Sequence, residues 1–204
     1  MMRSYRRKNR ILRPITNMKI FLAVFAVALA IVFVGEASAQ GRDFLTDEEI
    51  ELVRDNQDID KRIDVLTRMI DRRFVAMGLD VGGWKDAAKN SSVWGEMRTG
   101  TRTELLSDIR QLLQKAIDDV DDVAMHNENT LTQNKTEGLL FPKAVRTLGT
   151  AAARYLPKLR STLETTKDDK DRGLIIASIE HCEAIIDAVA KLPPDPKQEK
   201  KKKN

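Results

Sequence analysis

Apolar residues recur at steps of three or four along most of the chain beyond residue 46, a spacing that predicts amphipathic helices. The first helix begins at Thr46, because Thr46-Asp47-Glu48-Glu49 has the form of a capping box. Its stripe starts at Ile50 and Val53 and is open to interruption at Asn56-Gln57. The later members of the stripe are Ile59, Ile63, Leu66, Ile70, Phe74 and Met77, and Gly78 is suited to end the helix.

Three further stripes follow with the same helical spacing. A second helix is predicted from Thr103 to about Met125, and a third from about Pro142, a residue suited to a first helical position and followed by a kink at Pro157. A fourth begins at Asp168 or Asp169 and ends before Pro193-Pro194. The stripes contain Leu106, Ile109, Leu113, Ala116, Val120 and Val123; then Val145, Leu148, Ala152, Tyr155, Leu159 and Thr162; then Ile175, Ile179, Cys182, Ile186 and Val189.

Sustained alternation of apolar and polar residues, the mark of a strand, is missing from the sequence. Four amphipathic helices of similar length bury their stripes best against one another. The sequence therefore predicts an all-α fold, an antiparallel bundle of about four helices that forms one domain over residues 40–192. Residues 193–204 have almost nothing to bury and are predicted to be a disordered basic tail.

The N-terminal segment has the order of a secretory signal peptide, predicted over residues 1–39. Seven Arg or Lys residues precede an uncharged apolar run from Ile20 to Val34, and Ala37-Ser38-Ala39 offers small residues at the cleavage site before Gln40. The alternative is an uncleaved membrane anchor, but the run is shorter than the roughly 20 residues that span a bilayer. Met18-Lys19 could begin a signal peptide of ordinary length by itself, so Met18 is a possible true start. The mature protein is expected in the periplasm or the secreted fraction.

Removal of the predicted signal peptide changes the net charge of the protein. The chain has 35 Lys and Arg against 31 Asp and Glu, but residues 1–39 hold seven of the basic residues and one acidic residue. The mature chain is therefore close to neutral, with an acidic body and a basic tail. A nucleic-acid partner is not expected, because such proteins concentrate positive charge on the folded surface.

Few residues could carry chemistry. Cys182 is the sole cysteine, so an intramolecular disulfide is impossible, and its stripe position favours a structural role in the core. His126 and His181 stand in no zinc motif, and the adjacent His181 and Cys182 diverge on a helix. No catalytic set and no cofactor are predicted.

Candidate contacts lie outside the helices. The segment Leu79–Thr101 is long for a compact domain and carries two indoles, Trp84 and Trp94, which either pack over the fold or face a partner. The tail can reach an anionic envelope surface or serve only solubility. Its charged run is Lys200, Lys201, Lys202 and Lys203.

Four carboxylates crowd the end of the second helix, where the helix dipole disfavours negative charge. They are Asp118, Asp119, Asp121 and Asp122. They could form a metal site or a docking face for a basic partner, but a solvated acidic face is favoured because cation loops place carboxylates on a turn.

The mature chain resembles a group of predicted exported helical proteins of bacteria that has no assigned activity. The residues that carry the resemblance are Leu45–Asp55, Asp60-Lys61-Arg62-Ile63, Trp94-Gly95 and Thr99-Gly100-Thr101-Arg102. The resemblance implies export and a helical fold, and it transfers no catalytic residue. The function predicted from the sequence is therefore non-enzymatic binding of an envelope partner. The alternative is a periplasmic protein that binds a small ligand or a metal ion. Calorimetry with divalent cations would distinguish these two functions.

Overall fold

The structure, a computed structural model, describes residues 42–83, 92–126 and 137–193. Over these residues the chain forms five α-helices and one short 3-10 helix, and it contains no strand. The prediction of an all-α fold is confirmed. The elements are α1 (Asp47–Asp55), α2 (Ile59–Ala76), the 3-10 turn (Ser92–Trp94), α3 (Arg102–His126), α4 (Glu137–Thr165) and α5 (Asp169–Ala190).

The ends of the first two helices follow from local interactions. The Thr46 hydroxyl accepts a hydrogen bond from the Glu49 amide at 3.2 Å, and the Glu49 carboxylate accepts one from the Thr46 amide at 3.1 Å. The predicted capping box is thus confirmed. The helix breaks after Asp55 and resumes at Ile59, and beyond α2 Gly78 adopts the left-handed φ of +75° that favours glycine.

The third predicted helix begins earlier than the sequence pattern indicates. α4 starts at Glu137, so Pro142 and Pro157 both lie inside it, and the prediction of a start near Pro142 is wrong. The physical reason is burial. Phe141 is buried and Leu140 is packed against the core, so apolar contacts extend the helix before the proline.

The four long helices pack in pairs. α2 lies against α3 and α4, and α5 lies against the same two helices. α2 and α4 run in the same direction, because Asp60 near the start of α2 is paired with Lys143, while Asp71 near its end is paired with Arg154. The bundle therefore contains at least one pair of neighbouring helices that run parallel, α2 and α4, and not antiparallel. The chain reverses twice between these helices, so they return side by side in the same sense.

α4 and α5 run in opposite directions. Arg146 near the start of α4 donates to the carbonyl oxygen of Pro193 beyond the end of α5, and Arg160 near the end of α4 is 2.7 Å from Glu183 at the middle of α5. The two helices approach closely where Gly149 leaves no side chain. A Cβ atom there would lie 2.3 Å from a methyl group of Val189.

The apolar stripes of the long helices meet in one core, and the segment between α2 and α3 adds Val81 and Trp94 to it. Among the fully buried members are Ile63, Leu66, Met69, Ile70, Leu106, Ile109, Leu113, Ala152, Tyr155, Ile175 and Cys182. Of the helices that the structure describes, none is both long and apolar enough to cross a membrane.

Residues 43–193, where the structure describes them, form one compact unit, and all the helices named above belong to it.

Candidate functional site

Three consecutive charged residues, Asp71, Arg72 and Arg73, are buried near the end of α2. Consecutive helical side chains diverge by about 100°, so the three point to different neighbours. Burying a charge is costly unless the charge is paired and hydrogen-bonded. The partners of these three residues therefore organise this end of the fold.

Arg73 is fully buried and holds the segment that precedes α2. Its guanidinium donates two nearly parallel hydrogen bonds to the Glu49 carboxylate at 2.8 and 2.6 Å, the bidentate geometry typical of strong arginine pairs. It also donates to the Phe44 carbonyl oxygen at 2.9 Å and to Asp108 of α3 at 3.2 Å. One side chain thus joins α1, α2 and α3.

Arg72 holds the segment that leads into α3. Its guanidinium donates at 2.6 Å to the carbonyl oxygens of both Trp94 and Glu96, and it lies 5.6 Å from the centre of the Trp94 ring. Burial lowers the pKa of Arg72, and the Glu49 carboxylate at 3.6 Å acts in the opposite direction. The group nevertheless remains a cation at neutral pH, because arginine titrates far above pH 7.

A third guanidinium reaches the same place. Arg98 lies 3.6 Å from Asp108 and donates to the Asp43 carbonyl oxygen. We call Arg72, Arg73, Arg98, Glu49 and Asp108 the arginine cluster. It brings three cations and two carboxylates together, with Glu49 the member contributed by α1.

A second polar group lies on the side of α2 that faces α4. It consists of Asp71, Arg154 and Tyr155, and we call it the Asp71 cluster. Asp71 accepts hydrogen bonds from the Tyr155 hydroxyl at 2.8 Å and from Arg154 at 3.1 Å, and Arg154 also donates to the Val81 carbonyl oxygen at 2.9 Å. Burial raises the pKa of Asp71, against the lowering effect of the bonds from Tyr155 and Arg154. Burial also raises the pKa of Tyr155 well above its usual value, so the phenol stays neutral. Gly83 passes directly over these side chains, since a Cβ there would lie 1.8 Å from an Asp71 oxygen.

The two clusters anchor opposite ends of the connection between α2 and α3. Arg154 holds its beginning at Val81, and Arg72 holds its end at Trp94 and Glu96. This connection is the long segment that the sequence marks as a candidate for partner contacts. Its described flanks are therefore fixed to the core by buried arginines.

The predicted contact residues fall in different places. Trp94 is 7% exposed and packs in the core beside Arg72, so the packing interpretation applies to this indole and its side chain presents little surface to a partner. Trp84 and the tail residues Lys200, Lys201, Lys202 and Lys203 lie outside the described residues. The cleavage-site residues Ala37, Ala39 and Gln40 lie outside them as well.

The acidic end of the second long helix consists of side chains with neighbours on the same helix. Asp118 accepts a hydrogen bond from Gln114 at 2.7 Å, and Asp119 is paired with Lys115 at 3.1 Å. Asp122 lies 3.1 Å from His126, and Asp121 is exposed. Within residues 42–83, 92–126 and 137–193, no group of three or more His, Cys, Asp or Glu side chains is placed to hold a metal ion.

Cys182 and His181 lie on α5 in different surroundings. Burial raises the pKa of the Cys182 thiol to about 12, which disfavours the reactive thiolate at neutral pH. Burial also lowers the pKa of His181, and the Arg110 cation adds to this effect. The thiol therefore has the properties of a core residue.

The sequence pattern predicts Glu49 only as part of a helix cap, and it does not single out Arg72, Arg73 or Asp71. One signal was present: Arg73 lies one helical turn after Met69 and two turns after Leu66, within the apolar stripe of α2. A charged residue in such a position needs a buried partner.

Comparisons of the chain with protein-family models, with curated proteins and with solved structures found no match.

Proposed function

We propose that the protein is exported and acts in the periplasm or cell envelope as a non-enzymatic helical bundle that binds a partner. The observation that carries this proposal is where the signal-like segment ends in the sequence. The basic, apolar and small-residue order ends at Ala39, and the compact unit that contains the helices begins at Asp43. Cleavage after Ala39 would therefore release this unit intact.

The helical packing supports a single bundle made from α2, α3, α4 and α5. Each of α2 and α5 packs against both α3 and α4, and their stripes share one core. The buried ionisable groups are engaged in holding these elements and the connection from α2 to α3. This use of the charged residues supports a binding protein more than an enzyme, because a catalytic group must remain open to a substrate.

The candidate contacts are Trp84 and the basic tail. Trp94 is a poor candidate because its ring and carbonyl are engaged by Arg72. Each lysine of the tail would contribute about 1 kcal/mol near an anionic envelope surface, an attraction that added salt would weaken. The resemblance to predicted exported helical proteins supports the same setting.

The first test is the N-terminus of the mature protein after expression in a bacterial host. Sequencing is expected to begin at Gln40, because Ala37 and Ala39 provide the small side chains that the peptidase requires. Protein that stays in the cytoplasm would contradict the export proposal. Exported protein that retains residues 20–34 would contradict cleavage after Ala39 and favour the membrane anchor.

The second test is a pull-down from envelope extract with three forms of the mature chain. These are the full chain, a chain ending at Leu192, and a Trp84→Ala variant. Loss of a partner from either altered form would identify the contact, and retention of all partners by both would remove the two candidates. Trp84→Ala is preferable to deletion of Leu79–Thr101, which would take away the carbonyl oxygens that Arg72 holds.

A further inference from the structure

The short helix α1 contacts few elements of the fold. Among the described elements it contacts only α2 and the 3-10 turn, and Glu49 is its sole buried residue. The remaining members of the arginine cluster lie on α2, on α3 and in the anchored segment before α3. Glu49 is thus the member of the cluster that a local opening of α1 would remove.

The same carboxylate both caps α1 and docks it. Glu49 Oε2 accepts the Thr46 amide at 3.1 Å and Arg73 Nη2 at 2.6 Å. A helix of nine residues is too short to be stable alone in water. Withdrawal of Glu49 from Arg73 would therefore favour unfolding of α1. The segment Asp43–Asp55 would be released once Arg73 and Arg98 also give up the carbonyl oxygens of Phe44 and Asp43.

Release of this segment would leave the arginine cluster with three guanidinium groups and one carboxylate, Asp108. The fork of Arg73 would keep the geometry for two parallel bonds to a carboxylate. The surface left behind would also be apolar, because four side chains of the released segment pack against the core. They are Phe44, Leu45, Leu52 and Val53.

We propose that α1 is a displaceable cap, and that the arginine cluster is a binding site for a carboxylate on an amphipathic peptide segment of a partner protein. The partner's carboxylate would take the place of Glu49 on Arg73, and its apolar side chains would cover the surface that α1 leaves. A free anion would pair with the guanidinium groups but would leave the apolar surface uncovered. This inference deepens the binding function proposed above and rests on that function for its biological setting.

The test uses the full mature chain with Glu49→Ala, in which the internal carboxylate is missing. The probe is a fluorescein-labelled peptide with the sequence of residues 43–58, and binding is measured by fluorescence anisotropy. Saturable binding is expected. A peptide carrying Glu49→Gln should bind at least about tenfold more weakly, because it lacks the charge that Arg73 pairs with.

Two controls fix the interpretation. The unaltered mature chain should bind the probe more weakly than Glu49→Ala does, because its own Glu49 occupies the site. Glu51→Ala should match the unaltered chain, since Glu51 is exposed on the same helix and pairs with Arg54 at the surface. Equal binding of both peptides by a folded Glu49→Ala protein would overturn the proposal. Displacement of the probe by equimolar acetate or inorganic phosphate would also overturn it, in favour of a free-anion site.

A measurement on the unaltered chain covers the case in which Glu49→Ala does not fold. Hydrogen exchange should show residues 47–55 opening locally and exchanging faster than residues 59–76. If both helices exchanged only through the same global opening, the proposal that α1 is a displaceable cap would be overturned. These assays use purified protein, so they can fail while the export and pull-down experiments succeed, and the reverse also holds.

Discussion

The buried hydroxyl of Tyr155 offers a direct test of the Asp71 cluster, because Tyr155→Phe removes this group and leaves the ring. The ring is fully buried and stacks on Phe74 with 5.2 Å between centroids, a contact that phenylalanine retains. The hydroxyl oxygen lies 2.8 Å from Asp71 Oδ1 and 3.0 Å from the Thr67 carbonyl oxygen. The variant therefore changes polar contacts almost alone.

The size of the effect follows from the charge and burial of Asp71. A hydrogen bond to a charged group contributes about 1.5–3 kcal/mol. Asp71 is 2% exposed, so water cannot easily replace the lost donor, and Arg154 at 3.1 Å remains. We expect Tyr155→Phe to lower the free energy of unfolding at pH 7 by about 1.5–3 kcal/mol, a large part of the roughly 5–15 kcal/mol of an ordinary domain.

The pH dependence has a definite sign. The pKa of Asp71 is raised in the folded protein, so ionisation of Asp71 disfavours folding. This loss of stability is fully present above the raised pKa and disappears as the pH falls toward the ordinary value of a carboxyl. Removing the Tyr155 hydroxyl raises the pKa of Asp71 further. The gap in stability between the unaltered chain and Tyr155→Phe should therefore narrow at acidic pH.

The assay is urea unfolding followed by circular dichroism, applied to the unaltered chain, Tyr155→Phe, Asp71→Asn and the double variant. Tyr155→Phe should cost less in the Asp71→Asn background, with a coupling energy of about 1 kcal/mol or more. A loss below about 0.5 kcal/mol in the unaltered background would refute the reasoning. An equal loss in both backgrounds would refute it too, because the effect would then not pass through the Asp71 charge.

Two further comparisons test the packing of α4 against α5 and the titration of His181 on α5. Gly149→Ala should destabilise the protein by about 1–3 kcal/mol, because its Cβ would lie 2.3 Å from a Val189 methyl group. The Cβ of Gly173→Ala meets nothing within 4 Å, so this variant should stabilise the protein by about 0.4–1 kcal/mol. Thermal unfolding of both variants checks this, and a shift in the same direction would contradict the close approach of α4 and α5. The pKa of His181 is lowered, so the unaltered chain should lose stability as the pH falls from about 6.5 through the folded pKa. His181→Gln should show less of this loss, while a variant of the exposed His126, His126→Gln, should retain it, and melting curves at pH 7.5 and 5.5 separate the two.

Local signals predicted the elements of the fold well where they act within a few residues. The capping box at Thr46 and Glu49 and the glycine at position 78 match the structure, and the interruption that the sequence leaves open at Asn56-Gln57 occurs after Asp55. Each depends on interactions between residues two to four positions apart. The start of α4 did not follow this rule, because the tertiary burial of Phe141 outweighs the local preference of a proline for a first turn.

The two clusters could not be predicted in the same way. Arg73 meets Glu49 across 24 residues and Asp108 across 35, and Tyr155 meets Asp71 across 84. Periodicity shows which face of a helix is apolar, but it does not show which helix will cover that face. The partner of a buried charge is therefore fixed only when the helices pack.

The sequence by itself determined the helical class, the approximate helices and the uneven distribution of charge, because spacing and composition are properties of the chain. It also predicts the signal segment, for the same reason. The tertiary structure alone decided that Trp94 lies inward beside Arg72 and that Glu49 docks α1 onto Arg73. Electrostatic and packing energies of this kind depend on distances between segments remote in sequence, and those distances exist only in the folded protein.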